Sequence, residues 1–435
     1  MQGYDFDRVI DRRSSDSIKW HAFAEDVLPM WVADMDFAAA PEIIEALRQR
    51  ISHAVFGYPA ELKGLKESIM AWLEKRYAWK IKAEELIFLP GVVVGFNLVT
   101  QALCAEQRGV VIQTPVYPPF LNVGQNAGVP LLSSKLIKDN DHRYEVDFDS
   151  FVHSLDQNAG MFLLCNPHNP VGRVFTRSEL EQMAEYCLQR DVMICADEIH
   201  CDLVYEGNRH IPLASLDEEI AQKTVTLMAP SKTFNIPGLE FSFAVVQNPQ
   251  LRQRIHQARR GLVGGVNLMG MVAARAAYQY GEAWLEQLLA YLKSNRDWLY
   301  RTVGERMQGV HMPLPEGTYL AWLDFQNTTV GNDPFTFFLK EAKVGLNDGC
   351  TFGSGGEGHV RLNFGCPRSL LEEGVSRMIA ALEKHQKRVA LIKLFKTQIT
   401  AWAVEAASSG GWGCWDFFFC FQLESTHCYM LLAPY

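Results

Sequence analysis

Short apolar runs separated by helical stretches set the rhythm of the first two thirds of the chain. Runs at residues 87–89, 110–113, 161–165, 193–196 and 224–228 are bounded by proline, glycine or polar residues, the pattern of buried strands. Between them, helices are expected at 42–50, 65–77, in the stretch up to 103, and at 178–190. Pro41 opens the first at a favoured first-turn position. Ser178, with Glu179 and Glu181 in the first turn, caps the last. Strand, helix and strand in alternation predict a parallel sheet with helical crossovers, an α/β fold. Farther on, 266–280 and 282–307 read as helices. An alternating strand at 318–324, a helix at 334–342, a second strand at 359–364 and a helix at 368–388 make a smaller domain. The glycine-rich stretch 353–358 has no helix after it and reads as a loop.

Three of the apolar runs end in residues capable of chemistry. Lys232 follows 224–228, Asp197 follows 193–196, and Asn169 lies just past 161–165. Any one alone has a bland reading, since most lysines are solvated surface groups. On parallel strands the three converge at the carboxyl edge, where open α/β sheets bind ligands. That set suits pyridoxal phosphate. Lysine can form a Schiff base with the aldehyde, aspartate can keep the pyridine nitrogen protonated, and asparagine can donate to the ring oxygen. The turn around Gly91, opening a helix through Val92 and Val93, offers free backbone N–H groups to a phosphate beside Ser231. Trp31, apolar on an N-terminal arm, must line a pocket or pack on another part of the chain.

Six stretches carry a family resemblance: 28–37 (LPMWVADMDF), 113–120 (QTPVYPPF), 165–172 (CNPHNPVG), 197–202 (DEIHCD), 229–235 (APSKTFN) and 360–364 (VRLNF). In order, they make the chain resemble fold-type I pyridoxal-phosphate enzymes, and within them the MalY/PatB family of cystathionine β-lyases. The resemblance runs from the first residues to about residue 388. It implies a large domain with a mainly parallel, seven-stranded type of sheet flanked by helices, plus a smaller α+β domain. The divisions expected are an arm at 1–45, the cofactor domain at 46–280, the small domain at 281–390 and an atypical extension at 391–435.

The resemblance also assigns roles. Lys232 is the catalytic lysine. Gly91, Val92, Val93, Ser231, Tyr117, Asn169, Asp197 and His200 surround the cofactor, with Tyr117 stacked on its ring. Tyr58 reaches across a homodimer to the partner's cofactor phosphate. Arg361 clamps the substrate carboxylate, where an ordinary reading is a surface arginine on a strand. Trp31 and Ala33 border the substrate. The implied activity is elimination of thiol from cystathionine or another cysteine S-conjugate, leaving pyruvate and ammonia. An aminotransferase uses the same lysine, aspartate and arginine, and a regulatory protein can retain the cofactor without turnover. Two departures from the broader aminotransferase pattern fit the lyase branch: His200 stands where a tyrosine is common, and 234–240 lack a phosphate-binding arginine.

Composition adds bounds. Of 435 residues, 48% are hydrophobic and 21% charged, and the net charge of −9 argues against nucleic acid as a partner. Ten cysteines are too few for a disulfide scaffold. No apolar core marks a signal peptide and no run of about 18 apolar residues marks a membrane span, so a cytoplasmic protein is expected. Asp197, His200, Cys201 and Asp202 could be taken for metal ligands, but they crowd one strand end and no metal is expected. Residues 412–421 are aromatic and almost uncharged, and no function is assigned to them.

Overall fold

The computed structural model describes residues 3–104 and 108–408, with side chains through residue 401. The described residues up to Leu382 form one compact unit, and those from Glu383 onward a second. The first unit holds β1 (Leu28–Pro29), β2 (Leu86–Leu89), β3 (Gly109–Thr114), β4 (Leu131–Lys138), β5 (Tyr144–Val146), β6 (Ala159–Cys165) and β7 (Met193–Asp197). After these come β8 (Thr224–Met228), β9 (Ser242–Val245), β10 (Leu320–Asp324), β11 (Val344–Gly345), β12 (Asn347–Asp348) and β13 (His359–Asn363).

Eight strands make the main sheet, in the order β2-β9-β8-β7-β6-β3-β4-β5. Every pair from β8 to β4 is parallel. β9 runs antiparallel to both β8 and β2, and β5 folds back on β4. Seven strands thus match the expected sheet, and the short β5 adds an eighth. Parallel strands need cover on both faces, and β6 shows it. Met161, Leu163 and Cys165 pack on one side with Phe96 and Val99 of the helix Val92–Leu103. Phe162 and Leu164 pack on the other with Phe151 and with Leu180 of the helix Arg177–Gln189.

Helices Leu65–Tyr77 and Val92–Leu103 end where the pattern predicts. Three expectations shift. Thr176, not Ser178, caps Arg177–Gln189, because its hydroxyl lies three residues before Glu179 and the two close a capping box. The helix expected at 334–342 splits into Pro334–Phe337 and a π turn, Phe338–Ala342. The final helix runs Arg368–Ser408, twenty residues beyond the expected end, since no glycine or proline interrupts the chain there. The aromatic stretch 412–421 lies outside the described residues.

A three-stranded antiparallel sheet, β10-β13-β12, carries Arg361 on its central strand, opposite Trp322. A polar clasp ties this sheet to the edge of the main one. Lys138 at the end of β4 meets Asp324 at 2.5 Å and His359 at 3.0 Å, and His359 lies 3.4 Å from Asp324. Burial opposes ionisation of Asp324, but hydrogen bonds from His359 and Lys138 outweigh it and hold the carboxyl well below the usual range. A depressed carboxyl stabilises the fold above its unfolded pKa, and that stability is lost as pH falls through the folded value. Asp324→Asn is therefore expected to cost about 1–3 kcal/mol at neutral pH. The gap from the wild type should narrow below about pH 4, as denaturant titrations at the two pH values would measure.

Candidate active site

Register brings the predicted chemistry together. Cys165 on β6 pairs with Asp197 on β7, and Asp197 pairs with Leu227 on β8, so the three strands stop within one residue of each other. The Asn166 backbone N–H donates to the Asp197 carbonyl at 3.0 Å, which carries the alignment into the loop holding Asn169. Lys232 sits in the single turn Pro230–Thr233 that leaves β8.

Asp197 is 4% exposed, and its Oδ1 accepts from the Ile199 N–H at 3.1 Å. Burial pushes its carboxyl up to about 7. Lys232 donates from Nζ to the Ala33 carbonyl at 2.6 Å. Burial and then Arg361 bring its amine down to about 8, against the fields of Asp34 and Asp197. An ε-amine with that depressed affinity for its proton is a competent nucleophile near neutral pH. His200 is buried and driven well below its ordinary value by burial, then by Lys232 and Arg361, so it is a neutral imidazole here.

Arg361 is fully enclosed, and burial brings even its guanidinium down to about 10. Nη1 donates to Asn169 Oδ1 at 2.8 Å. Nη2 donates to Asn347 Oδ1 at 2.6 Å and to the Trp31 carbonyl at 3.1 Å. Phe352 lies beneath it at 4.9 Å. Every acceptor is neutral, and Nε has no partner. A buried cation hydrogen-bonded without an anion is a receptor for one. Its hold on the oxygen of Asn169 leaves that side chain's NH2 to donate into the site.

Tyr117 immediately precedes the turn Pro118–Leu121 and is half-buried within the fields of Arg361 and Asp197. At Gly91 a Cβ would meet nothing within 4 Å, and the helix that follows has no side chain capping its N-terminus. Its first N–H groups therefore remain available to an anion, and Ser231 is half-buried. Trp31 and Ala33 take part through their carbonyls rather than their side chains. The Trp31 indole instead donates to the Lys19 carbonyl at 3.1 Å. Tyr58 does not join the group. It is 106% exposed and points into solvent. Asp202 points into the packed protein rather than to Asp197. Its carboxylate accepts from Trp72, Tyr77 and Thr233. No metal-binding group exists among the described residues.

Residues 1–40 contribute more than the sequence reading foresaw. Tyr319 donates to the same Ala33 carbonyl at 2.8 Å. Arg12 grips Asp34 at 2.5 Å and Asp36 at 2.6 Å, and Lys19 meets Asp36 at 2.6 Å. Tyr319 and Asn347 lie in stretches without a motif, so only contact with Ala33 and Arg361 reveals them. Asp34 was visible within 28–37 but carried no assigned role.

The residues fit a phosphorylated pyridine aldehyde. An amine of lowered proton affinity, a buried carboxyl for the ring nitrogen, a free amide NH2 and an open helix terminus each match one part of it. The architecture and site define an aminotransferase-type α/β enzyme, and the chain belongs to the class I and II aminotransferase family, whose model matches residues 25–378. More narrowly, it is similar to cystathionine beta-lyase PatB of Bacillus subtilis, 38% identical over 87% of this chain and 99% of that one. It is likewise similar to protein MalY of Escherichia coli, 33% identical over 87% of this chain and 99% of that one. The solved structure of a PLP-bound C-S lyase from Staphylococcus hominis superposes with a TM-score of 0.81 at 32% identity, over 87% of this chain and 99% of that one.

The lowered amine generates a direct expectation. In cofactor-free protein at about pH 8, Lys232 should react with an acetylating reagent well before the exposed Lys80. Peptide mass spectrometry over time reads the order, and equal rates would remove the basis for a primed amine.

Proposed function

We propose that this protein is a pyridoxal-phosphate-dependent carbon–sulfur β-lyase that splits cystathionine or related cysteine S-conjugates into thiol, pyruvate and ammonia. The observation that carries it is the constellation of a half-buried Lys232 with buried Asp197 and Arg361, the arginine bonded only to neutral acceptors. Kinship with named cystathionine β-lyases and C-S lyases supports the choice of reaction.

When bound, the cofactor supplies an aldehyde for an amine to join and a ring that draws off the electron pair left at Cα. The protein does the rest. Arg361 binds the substrate α-carboxylate through its planar fork, backed by Asn169 and Asn347. Asp197 holds a proton at the ring nitrogen, and a cation there keeps its own carboxyl ionised despite burial. Lys232 would take the substrate's α-proton at Nζ. Tyr117 covers the ring. His200, neutral, crowds the site without adding charge.

The proposal extends to assembly. Tyr58, fully exposed on its own protomer, suits the arm that reaches a partner's phosphate, and the working form proposed is a cytoplasmic homodimer. We also propose the division into an arm at 1–45, a cofactor domain at 46–280, a small domain at 281–390 and an extension at 391–435. All strands of the main sheet fall in the second of these and β10 to β13 in the third.

Holoenzyme given cystathionine and no keto acid should release thiol and pyruvate in equal amounts over many turnovers. Accumulation of the cofactor's amine form without pyruvate would mean transamination instead. Arg361→Lys loses a bidentate contact, so KM for the amino-acid substrate should rise by roughly 10- to 100-fold, equivalent to about 1.5–3 kcal/mol. Initial-rate kinetics reads it, and an unchanged KM would remove Arg361 from carboxylate binding.

A further inference from the structure

The carboxylate of Asp34 is an oddity in the arm. Oδ2 is gripped by Arg12 at 2.5 Å, while Oδ1 is buried with no hydrogen-bond partner. A buried carboxylate oxygen left unpaired is costly unless some donor visits it. The arm holds Asp34 firmly. Its backbone carbonyl accepts from Asn363 Nδ2 at 2.8 Å and from Lys19 Nζ at 3.2 Å. The neighbouring Ala33 carbonyl takes the Lys232 ε-amine at 2.6 Å, so Asp34 follows immediately after the group that Lys232 touches.

We propose that Asp34 is a positioning residue that keeps the Lys232 ε-ammonium in place once it has taken the substrate's α-proton. In that step the Cα–H bond breaks, its electron pair stays with carbon, and the proton forms a new N–H bond on Nζ. The resulting ammonium needs more than a neutral carbonyl in a dry site, and Asp34 supplies the nearby negative charge. When the Cβ–S bond breaks, sulfur leaves with the bonding pair and can accept that same proton. Arg12 fixes the carboxylate and tempers its charge, so the amine is not held permanently protonated. The inference rests on Lys232 being the cofactor-bearing base.

The groups facing Lys232 are Arg361 from β13, Asp34 from the arm, Asp197 from β7, and His200 from the loop beyond it. Tyr319, ahead of β10, shares the Ala33 carbonyl. Among these, Asp34 favours the charged amine ahead of Asp197.

The test reads the pH profile of Lys232 acetylation in the cofactor-stripped full chain. Asp34→Asn should move its midpoint down from about 8 by about 1 pH unit, the size expected for loss of a close counter-charge. Asp34→Glu should restore it, and Arg12→Met should move it upward. Mere loosening of the arm would hydrate Lys232 and raise the midpoint in every variant, the opposite sign for Asp34→Asn. An unmoved or raised midpoint in Asp34→Asn would overturn the inference. If wild-type protein instead carries its cofactor on another lysine, the reading of the site fails first, whatever the Asp34 variants do.

Discussion

Desolvation of three ionisable groups together is the constraint on which this structure depends. Asp197 and Arg361 are buried and Lys232 half-buried, and each is pushed toward its neutral form by desolvation. A protein does not bury a lysine, a carboxyl and an arginine without compensation. Here the compensation inside the chain is incomplete. The lysine leans on one carbonyl, the aspartate on one backbone N–H, and the arginine on neutral oxygens. Such a site is completed by what enters it: a carboxylate for the arginine, a pyridinium for the aspartate, an aldehyde for the amine.

The scaffold explains how the cluster is kept dry and in register. Parallel β6, β7 and β8 deliver Asn169, Asp197 and Lys232 to one edge because their pairing is fixed by apolar side chains on both faces. The antiparallel sheet delivers Arg361 from a different part of the chain, and the clasp of Lys138, Asp324 and His359 ties it to the sheet edge. The arm closes the assembly. Its carbonyls at Trp31 and Ala33 are contacts to the arginine and the lysine, so a segment with little regular structure sets the positions of both charges.

Much of this was legible in the sequence, for physical reasons. Short, β-branched apolar runs bounded by turn residues read as buried strands, and the chemistry past their ends marked Asn169, Asp197 and Lys232. Arg361 was legible only through the resemblance, because its alternation with Val360 and Leu362 reads as a surface arginine, whereas the fold buries it. β4 escaped notice because its exposed positions break the apolar run, and β9 because it is a strand of only four residues. The capping threonine at 176 was overlooked for a nearer serine, although the spacing to Glu179 favours it. Tyr319, Asn347 and Phe352 could not be found from pattern at all. Each matters through a contact across the fold with Ala33 or Arg361, and long-range contact leaves no local periodicity. For Tyr58 the sequence suggested a site role, and the geometry of one protomer leaves it outside that site, fully exposed.

The central claim is that the desolvated amine at position 232 is the cofactor's point of attachment. Borohydride reduction of the holoenzyme, followed by digestion and mass spectrometry, tests it most directly. A pyridoxyl group fixed on the peptide bearing Lys232 is the predicted result. A modified peptide elsewhere, or a fully unmodified Lys232 peptide from active protein, would contradict it.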